Sequence, residues 1–176
     1  MRKIFLFLTT TIIFISCQKV KTYEQLKPYD GPVMEVNDIE TIYSDSSIVR
    51  VRLKAPKEIE LKNGDREFPN GVYIEFFDKY GVKTSTLRGN SGRLEKEKNL
   101  YNVKGAVEIK SIEQQKKMNS EELFWDPGKD EVYCDTNTFV TITTPTEILM
   151  GKGLKTNQNF TSYKILNPTG VIDVVE

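Results

Sequence analysis

The stretch that decides the fold is TSTLRGNSGRLEKEKNLYNVKGAVEIK, at Thr84–Lys110. It predicts two β-strands joined by a polar turn, EKEKN, at Glu95–Asn99. The stretch recurs twice more at an offset of 31 residues, without a gap. A small residue keeps its place in all three copies, as Gly89, Ser120 and Gly151. Self-similarity at a fixed period is the sequence signature of stacked supersecondary units.

Four aligned positions are apolar in all three copies, whereas about one or two would arise by chance in a chain that is 38% hydrophobic. Stacking the copies would bring alternate residues of each strand onto one continuous apolar face. A sheet folded around that face is an all-β jelly-roll or trough, and its interior is either a dry core or a groove for lipid. The predicted face contains Leu87, Leu94, Tyr101, Val103, Ile109, Met118, Leu123, Trp125, Val132, Cys134, Val140, Leu149, Leu154, Tyr163, Ile165 and Val171.

Composition excludes several function classes. The chain has 176 residues, enough for one domain, and its 25 lysines and arginines equal its 25 aspartates and glutamates. Without a basic excess or a recognition motif, we expect no nucleic-acid partner. Histidine is absent, which removes the commonest general base and the commonest zinc ligand. We therefore expect no catalytic residues, no cofactor and no metal.

A carboxylate enzyme is the remaining catalytic alternative. Glu121 and Glu122 are its most obvious pair, but they are adjacent. Neighbouring residues on a strand face opposite sides, so these two side chains cannot flank a scissile bond. The sequence therefore favours a protein that is not an enzyme.

The N-terminus is typical of an exported lipoprotein. Arg2 and Lys3 precede the apolar run Ile4–Ile15, which is shorter than the roughly 20 residues of a membrane-spanning helix. The run ends in FISC, which resembles a bacterial lipobox with Cys17 as the lipid-modified residue. We expect a signal peptide at 1–16 and a polar, lipid-anchored tether at 17–32. The alternative is an ordinary signal peptide followed by an incidental cysteine.

Two residues that suggest chemistry are better explained as core. Cys134 aligns with Val103 and Ile165 in the other copies, and a chain without histidine offers the thiol no base. Trp125 aligns with Leu94. Both are therefore predicted to be buried apolar positions.

The domain at 33–176 resembles the LptC family, the periplasmic bridge component of lipopolysaccharide export. The motifs that carry the resemblance are GVYIEFFD at Gly71–Asp78, LRG at Leu87–Gly89, GAV at Gly105–Val107, SEELFWD at Ser120–Asp126 and GKGL at Gly151–Leu154. The resemblance implies a V-shaped antiparallel β-jellyroll of the LptA/LptC/OstA-like type, whose interior holds lipopolysaccharide acyl chains without catalysis.

The same resemblance implies partners and a location. It implies docking on the membrane subunits of an ABC transporter at one end and on a soluble, LptA-like bridge protein at the other. It also implies a place on the periplasmic side of the cell envelope, at the inner membrane. Well-known members of the family carry a membrane helix, whereas this sequence has a lipobox, which leaves the membrane of anchoring open.

The last repeat copy runs to Glu176 without a capping unit. An open strand edge invites pairing with another chain, so we expect strand addition to a partner through Val171, Ile172, Val174 and Val175. A short frayed terminal strand is the alternative for this segment. For the chain as a whole, the alternative to lipid transfer is a structural or adhesion lipoprotein of the cell envelope with a dry β-core.

Overall fold

The computed structural model describes residues 29–169. The chain divides into two units, Met1–Asp30 and Gly31–Glu176, and the fold below is that of the second. The predicted signal peptide, the lipid-anchor residue Cys17 and the predicted partner edge lie outside the described residues. That edge comprises Val171, Ile172, Val174 and Val175.

All the regular secondary structure of the described residues is β-strand, which confirms the predicted all-β class. Neighbouring strands pair antiparallel throughout. The eleven strands are β1 (Met34–Asp45), β2 (Ile48–Glu60), β3 (Arg66–Phe68), β4 (Val72–Phe77), β5 (Lys83–Gly89), β6 (Ser91–Glu95), β7 (Leu100–Ser111), β8 (Lys116–Asp126), β9 (Glu131–Thr143), β10 (Ile148–Asn157) and β11 (Tyr163–Thr169).

The 31-residue repeat is a repeated hairpin with a constant register. Three hairpins, β6–β7, β8–β9 and β10–β11, follow one another along the sheet. Their first inward-facing pairs occupy equivalent positions: Leu94 opposite Tyr101, Trp125 opposite Val132, and Thr156 opposite Tyr163. Because the register repeats, residues that align in sequence lie in the same row across the sheet, two strands apart.

The long strands cross from one half of the sheet to the other. β2 pairs with β4 at Val51–Lys54 and with β3 at Ile59–Glu60. β7 likewise pairs with β5 through one half and with β6 through the other. β3 and β6 pair with each other, as do β4 and β5. The sheet therefore consists of two leaves that share their long strands.

The first leaf contains β4, β5 and the halves of the long strands beside them, such as Val107–Ser111 of β7. The second leaf contains β3, β6, the Tyr163–Ile165 part of β11 and the other halves of the long strands, such as Leu100–Lys104. Register shifts mark the line between them, where the β7–β8, β8–β9 and β9–β10 ladders each contain an irregularity. Bulges bend strands, so this line is the fold along which the leaves face each other.

The repeat position that holds a small residue in every copy, Gly89, Ser120 or Gly151, lies at this fold line. A Cβ atom on Gly151 would come within 2.6 Å of the Asn167 carbonyl oxygen and 2.9 Å of the Pro168 Cα, both backbone atoms of β11. A Cβ atom on Gly89 would collide with Val103. Ser120 fits because its hydroxyl donates to the Phe139 carbonyl oxygen at 3.2 Å. Small residues are required here because the neighbouring strand passes too close for a larger side chain.

We expect Gly151→Ala to destabilise the domain by about 1–3 kcal/mol, since β11 would have to move away from β10. Gly128→Ala is the matched control, because its Cβ would meet only a side-chain atom of Asp126, at 3.3 Å. Urea unfolding followed by tryptophan fluorescence measures both. Equal stability of the two variants would show that the approach of β11 at the fold line is not tight.

Candidate functional site

The inner surfaces of the two leaves form one apolar interior, and the predicted face lies in it. Twelve of the predicted residues are buried in a single cluster, each 8% exposed or less. Leu149, Tyr163 and Ile165 are partly buried and pack against that cluster. The prediction that this face lines an acyl-chain groove is not tested by burial alone. The buried twelve are Leu87, Leu94, Tyr101, Val103, Ile109, Met118, Leu123, Trp125, Val132, Cys134, Val140 and Leu154.

The interior also contains residues that the repeat did not identify. β2 and β4 contribute Val51, Leu53, Val72, Ile74 and Phe76, which alternate with polar residues but lie before the three clear copies. Phe160 is fully buried although it lies in the turn between β10 and β11. Its equivalents in the other copies are turn lysines, so no sequence pattern indicated its burial.

Aromatic side chains join the leaves at the centre of the interior. The Phe76 ring of the first leaf meets the Trp125 ring of the second edge-on, with ring centroids 5.0 Å apart. Tyr101 stacks on the other side of Trp125 at 4.7 Å. The indole N–H of Trp125 is buried and has no hydrogen-bond acceptor among the described residues. A buried donor without an acceptor costs about 1–3 kcal/mol, so an acceptor brought by a ligand would be favoured here.

One margin of the interior is sealed by the turn between β10 and β11. The Thr84 hydroxyl donates to the Asn159 side-chain oxygen at 2.8 Å, and the Ser85 hydroxyl donates to the Gln158 carbonyl oxygen at 2.6 Å. Phe160 fills the space beneath them. These bonds fix the turn of the second leaf against β5 of the first.

Another margin of the apolar interior, beside β1 and β3, is lined by polar side chains. The hydroxyl groups of Tyr43 and Tyr101 share a hydrogen bond of 2.8 Å. The buried carboxylate of Glu58 lies 3.6 Å from the Arg66 guanidinium. Burial raises the pKa of Tyr101, so this phenol stays a neutral hydrogen-bonding group. The apolar surface of Trp125 and Tyr101 thus borders directly on groups that can bind polar atoms.

A cleft of about 730 Å³ opens where the two leaves diverge between β2 and β7. Its walls come from β1, β2, the β3–β4 connection and the β5–β6 junction, where the Asn90 N–H donates to the Gly105 carbonyl oxygen at 2.9 Å. Ala55 and Val72 line the cleft and also belong to the buried cluster. The cleft therefore borders the apolar interior without opening it, since Ala55 and Val72 are themselves buried.

The structure supports the core interpretation of Cys134. Its thiol is free and buried, and burial raises its pKa, which disfavours the reactive thiolate. Within residues 29–169, no group of three or more histidine, cysteine, aspartate or glutamate side chains is placed to hold a metal ion. The same part of the chain contains no helix long and apolar enough to cross a membrane.

Two leaves of a repetitive antiparallel sheet, joined by bulged strands around an apolar interior, define a β-jellyroll. The comparison with protein families agrees: the model described as lipopolysaccharide-assembly, LptC-related, matches residues 10–170, and the chain belongs to this family. Membership places the protein in lipopolysaccharide transport. No curated protein matches the chain.

The contribution of the central aromatic cluster to stability can be separated from that of a partly buried aromatic pair on the outer surface. We expect Trp125→Ala to cost about 3–5 kcal/mol, because it opens a cavity between the leaves. Phe124 is the neighbouring residue on the outer surface, where it stacks on Tyr133 at 5.3 Å, and its replacement by alanine should cost about 1 kcal/mol. Urea unfolding followed by circular dichroism reports both. Similar losses would show that the leaves are not held together at Trp125.

Proposed function

We propose that this protein carries lipopolysaccharide by holding its acyl chains between the two leaves, without catalysis. It would receive the lipid from the membrane subunits of an ABC transporter and pass it to a soluble, LptA-like bridge protein. The observation that carries the proposal is the apolar interior running through every repeat, from Leu87 in β5 to Ile165 in β11. Membership of the LptC-related family supports it.

The energetics of such a carrier follow from the apolar interior. Each methylene group exposed to water costs about 0.8 kcal/mol, so acyl chains need a continuous apolar surface to cross an aqueous space. Transfer between two carriers with similar interiors is nearly balanced in free energy. The carrier itself then needs no energy source, and the transporter supplies the direction.

Entry of an acyl chain requires the leaves to separate, because their facing side chains are in contact. The contacts between Phe76 and Trp125 are apolar, and an acyl chain can replace them with contacts of the same kind. The unpaired indole N–H of Trp125 would gain an acceptor from the ester or amide oxygen of a lipid. The fold line would act as the hinge, since both leaves remain covalently continuous there.

Partner docking by strand addition would use the two edges of the sheet. Within the described residues β1 pairs only with β2, and β11 pairs only with β10. Each edge therefore presents backbone groups to which a partner strand can add. We place the transporter at one edge and the bridge protein at the other, with Val171, Ile172, Val174 and Val175 extending the β11 edge.

The location proposed for the protein is the periplasmic side of the inner membrane. Acyl chains on Cys17 would hold it there, and the segment 17–32 would be the tether. Several acyl chains on one cysteine are enough for stable anchoring, because each buried methylene group contributes to membrane affinity.

The complete burial of the interior favours a second candidate, a structural or adhesion lipoprotein with a dry core. Ile74, Phe76, Leu87 and Met118 are fully inaccessible to solvent. A protein whose leaves never separate would show the same packing. The two candidates differ in whether lipid reaches the interior.

A photo-reactive diazirine amino acid at Ile165 should crosslink to lipopolysaccharide in intact cells, because this partly buried side chain faces the interior at the open β11 edge. Lys164 is the matched control: it neighbours Ile165 in the same strand, is exposed, and lies opposite Lys155 on the outer surface. Immunoblotting for lipopolysaccharide adducts gives the result. Adducts at neither position, with the protein present at normal levels, would support the dry core.

Deleting residues 170–176 should abolish capture of the soluble bridge protein while the domain remains folded, because strand addition needs the extended edge. Pull-down with the purified bridge protein measures binding, and the urea midpoint verifies folding. The control is Val82→Ser in the exposed β4–β5 turn, which should leave capture unchanged. Normal capture by the shortened chain would refute the docking model.

A further inference from the structure

The outer surface of the first leaf is strongly basic. The strand register places Arg52, Glu75, Lys110 and Lys117 in one row of outward-facing residues. A second row contains Lys54, Arg88 and Glu108. We call this surface the basic face. Seven cations and three carboxylates form it: Arg52, Lys54, Lys83, Arg88, Lys110, Lys117 and Lys152, with Glu40, Glu75 and Glu108.

Two of its carboxylates are buried beneath several cations. Glu108 lies 2.9 Å from Arg88, 3.0 Å from Lys110 and 3.5 Å from Lys117. Its own side chain is 6% exposed, whereas the three cations are between 44% and 61% exposed. Each of these cations therefore keeps a large part of its surface in solvent, while the single carboxylate neutralises only one positive charge. The cluster presents a surplus of positive charge outward.

The two buried carboxylates, Glu108 and Glu75, are ionised at neutral pH because neighbouring cations lower their pKa values. Burial alone would raise the pKa of Glu108, but the neighbouring Lys110, Arg88 and Lys117 lower it below the usual value. Glu75 behaves in the same way beside Lys83 and Arg52. Both carboxylates are thus ionised and hold the cations in place.

Exposed apolar side chains border the cations on the same face. Met150 lies in the row of Arg88 and Glu108, three strands from Glu108, which corresponds to about 14 Å at the usual strand spacing. Phe139 and Ile148 face the same way on β9 and β10. These three side chains are between 44% and 59% exposed. Their position beside a basic surface is the pattern of a membrane-surface element.

The outer surface of the second leaf differs. Several of its cations pair with carboxylates across strands, as in Arg93 with Glu67 at 3.0 Å, Lys104 with Glu122 at 3.0 Å, and Lys155 with Glu131 at 2.8 Å. The set includes Lys57, Arg93, Lys104, Lys155 and Lys164 with Glu35, Glu67, Glu95, Glu122, Asp126 and Glu131. The positive charge of this neutral protein is therefore concentrated on one leaf.

We propose that the basic face docks on an anionic phospholipid bilayer, with lipid phosphates at the surplus cations and with Phe139, Ile148 and Met150 in the headgroup region. A broad face with cations on several strands suits many anionic headgroups at once. Each lysine or arginine near an anionic bilayer strengthens adsorption roughly fivefold. Lys54, Arg88 and Glu40 of the basic face also line the cleft of about 730 Å³, but the docking does not depend on the proposed transport function.

The test uses the full-length protein mixed with vesicles, with Cys17→Ser and Cys134→Val as the background, so that an introduced cysteine is the one thiol that can be labelled. A fluorophore is attached at Met150→Cys on the basic face or at Lys164→Cys on the second leaf. Lipids with a nitroxide headgroup quench fluorophores that lie at the membrane surface. With about one third phosphatidylglycerol in the vesicles, we expect at least threefold stronger quenching at 150 than at 164, and loss of this difference in pure phosphatidylcholine or in 0.5 M salt.

Charge reversal tests the role of the cations. Lys110→Glu with Lys117→Glu should reduce quenching at 150 to the phosphatidylcholine level, whereas the paired control Lys104→Glu with Lys155→Glu should not. Lys110 and Lys117 both contact Glu108, so replacing them could also disturb the fold. Lys152→Glu is therefore a second variant, because the Lys152 side chain forms no ion pair within residues 29–169. Equal quenching at 150 and 164, or quenching that ignores phosphatidylglycerol, would overturn the proposal. Loss of partner capture in these variants without any surface quenching would assign the face to an acidic protein instead.

Discussion

The close approach of neighbouring strands at the fold line is the constraint on which this structure depends. β11 passes so near Gly151 that its backbone leaves no room for a Cβ atom, and Val103 approaches Gly89 in the same manner. Two leaves can face each other only if every long strand bends at an equivalent place. A constant register of 31 residues puts the small residues in one row across the sheet, so that the bends form one line rather than scattered kinks. The facing surfaces then become a single interior.

The sequence indicated the part of this arrangement that repeats. Alternation within each copy predicted the inward-facing residues, because a strand has a period of two and the copies share a register. Phe160 could not be found in this way, since it is a turn residue that becomes buried only when the turn docks on Thr84 and Ser85. The contact of Phe76 with Trp125 was not predicted for another reason. Phe76 belongs to the strands that precede the three repeat copies, and the contact joins residues distant in the chain.

The same side chains stabilise the domain and form the proposed binding surface. Trp125 illustrates the consequence. Its ring contacts Phe76 and Tyr101 across and along the leaves, while its indole N–H has no acceptor among the described residues. In the proposed carrier, the closed state should be only moderately more stable than the lipid-filled state, and an unsatisfied donor reduces the stability of the closed state alone.

Net charge conceals the electrostatics of a two-leaf protein. Equal numbers of acidic and basic residues led to the expectation of no nucleic-acid partner, but such a count does not show that the sheet separates these residues by face. Alternate residues of a strand face opposite sides of the sheet, so a residue's position along its strand decides which face carries its charge. The strand register decides which charges become neighbours. Lys110 and Lys117 are paired across strands, which is unfavourable for like charges unless an anion lies between them. Glu108 provides that anion from the adjacent row, and its ion pairs with both lysines explain how a surface so rich in one sign remains stable.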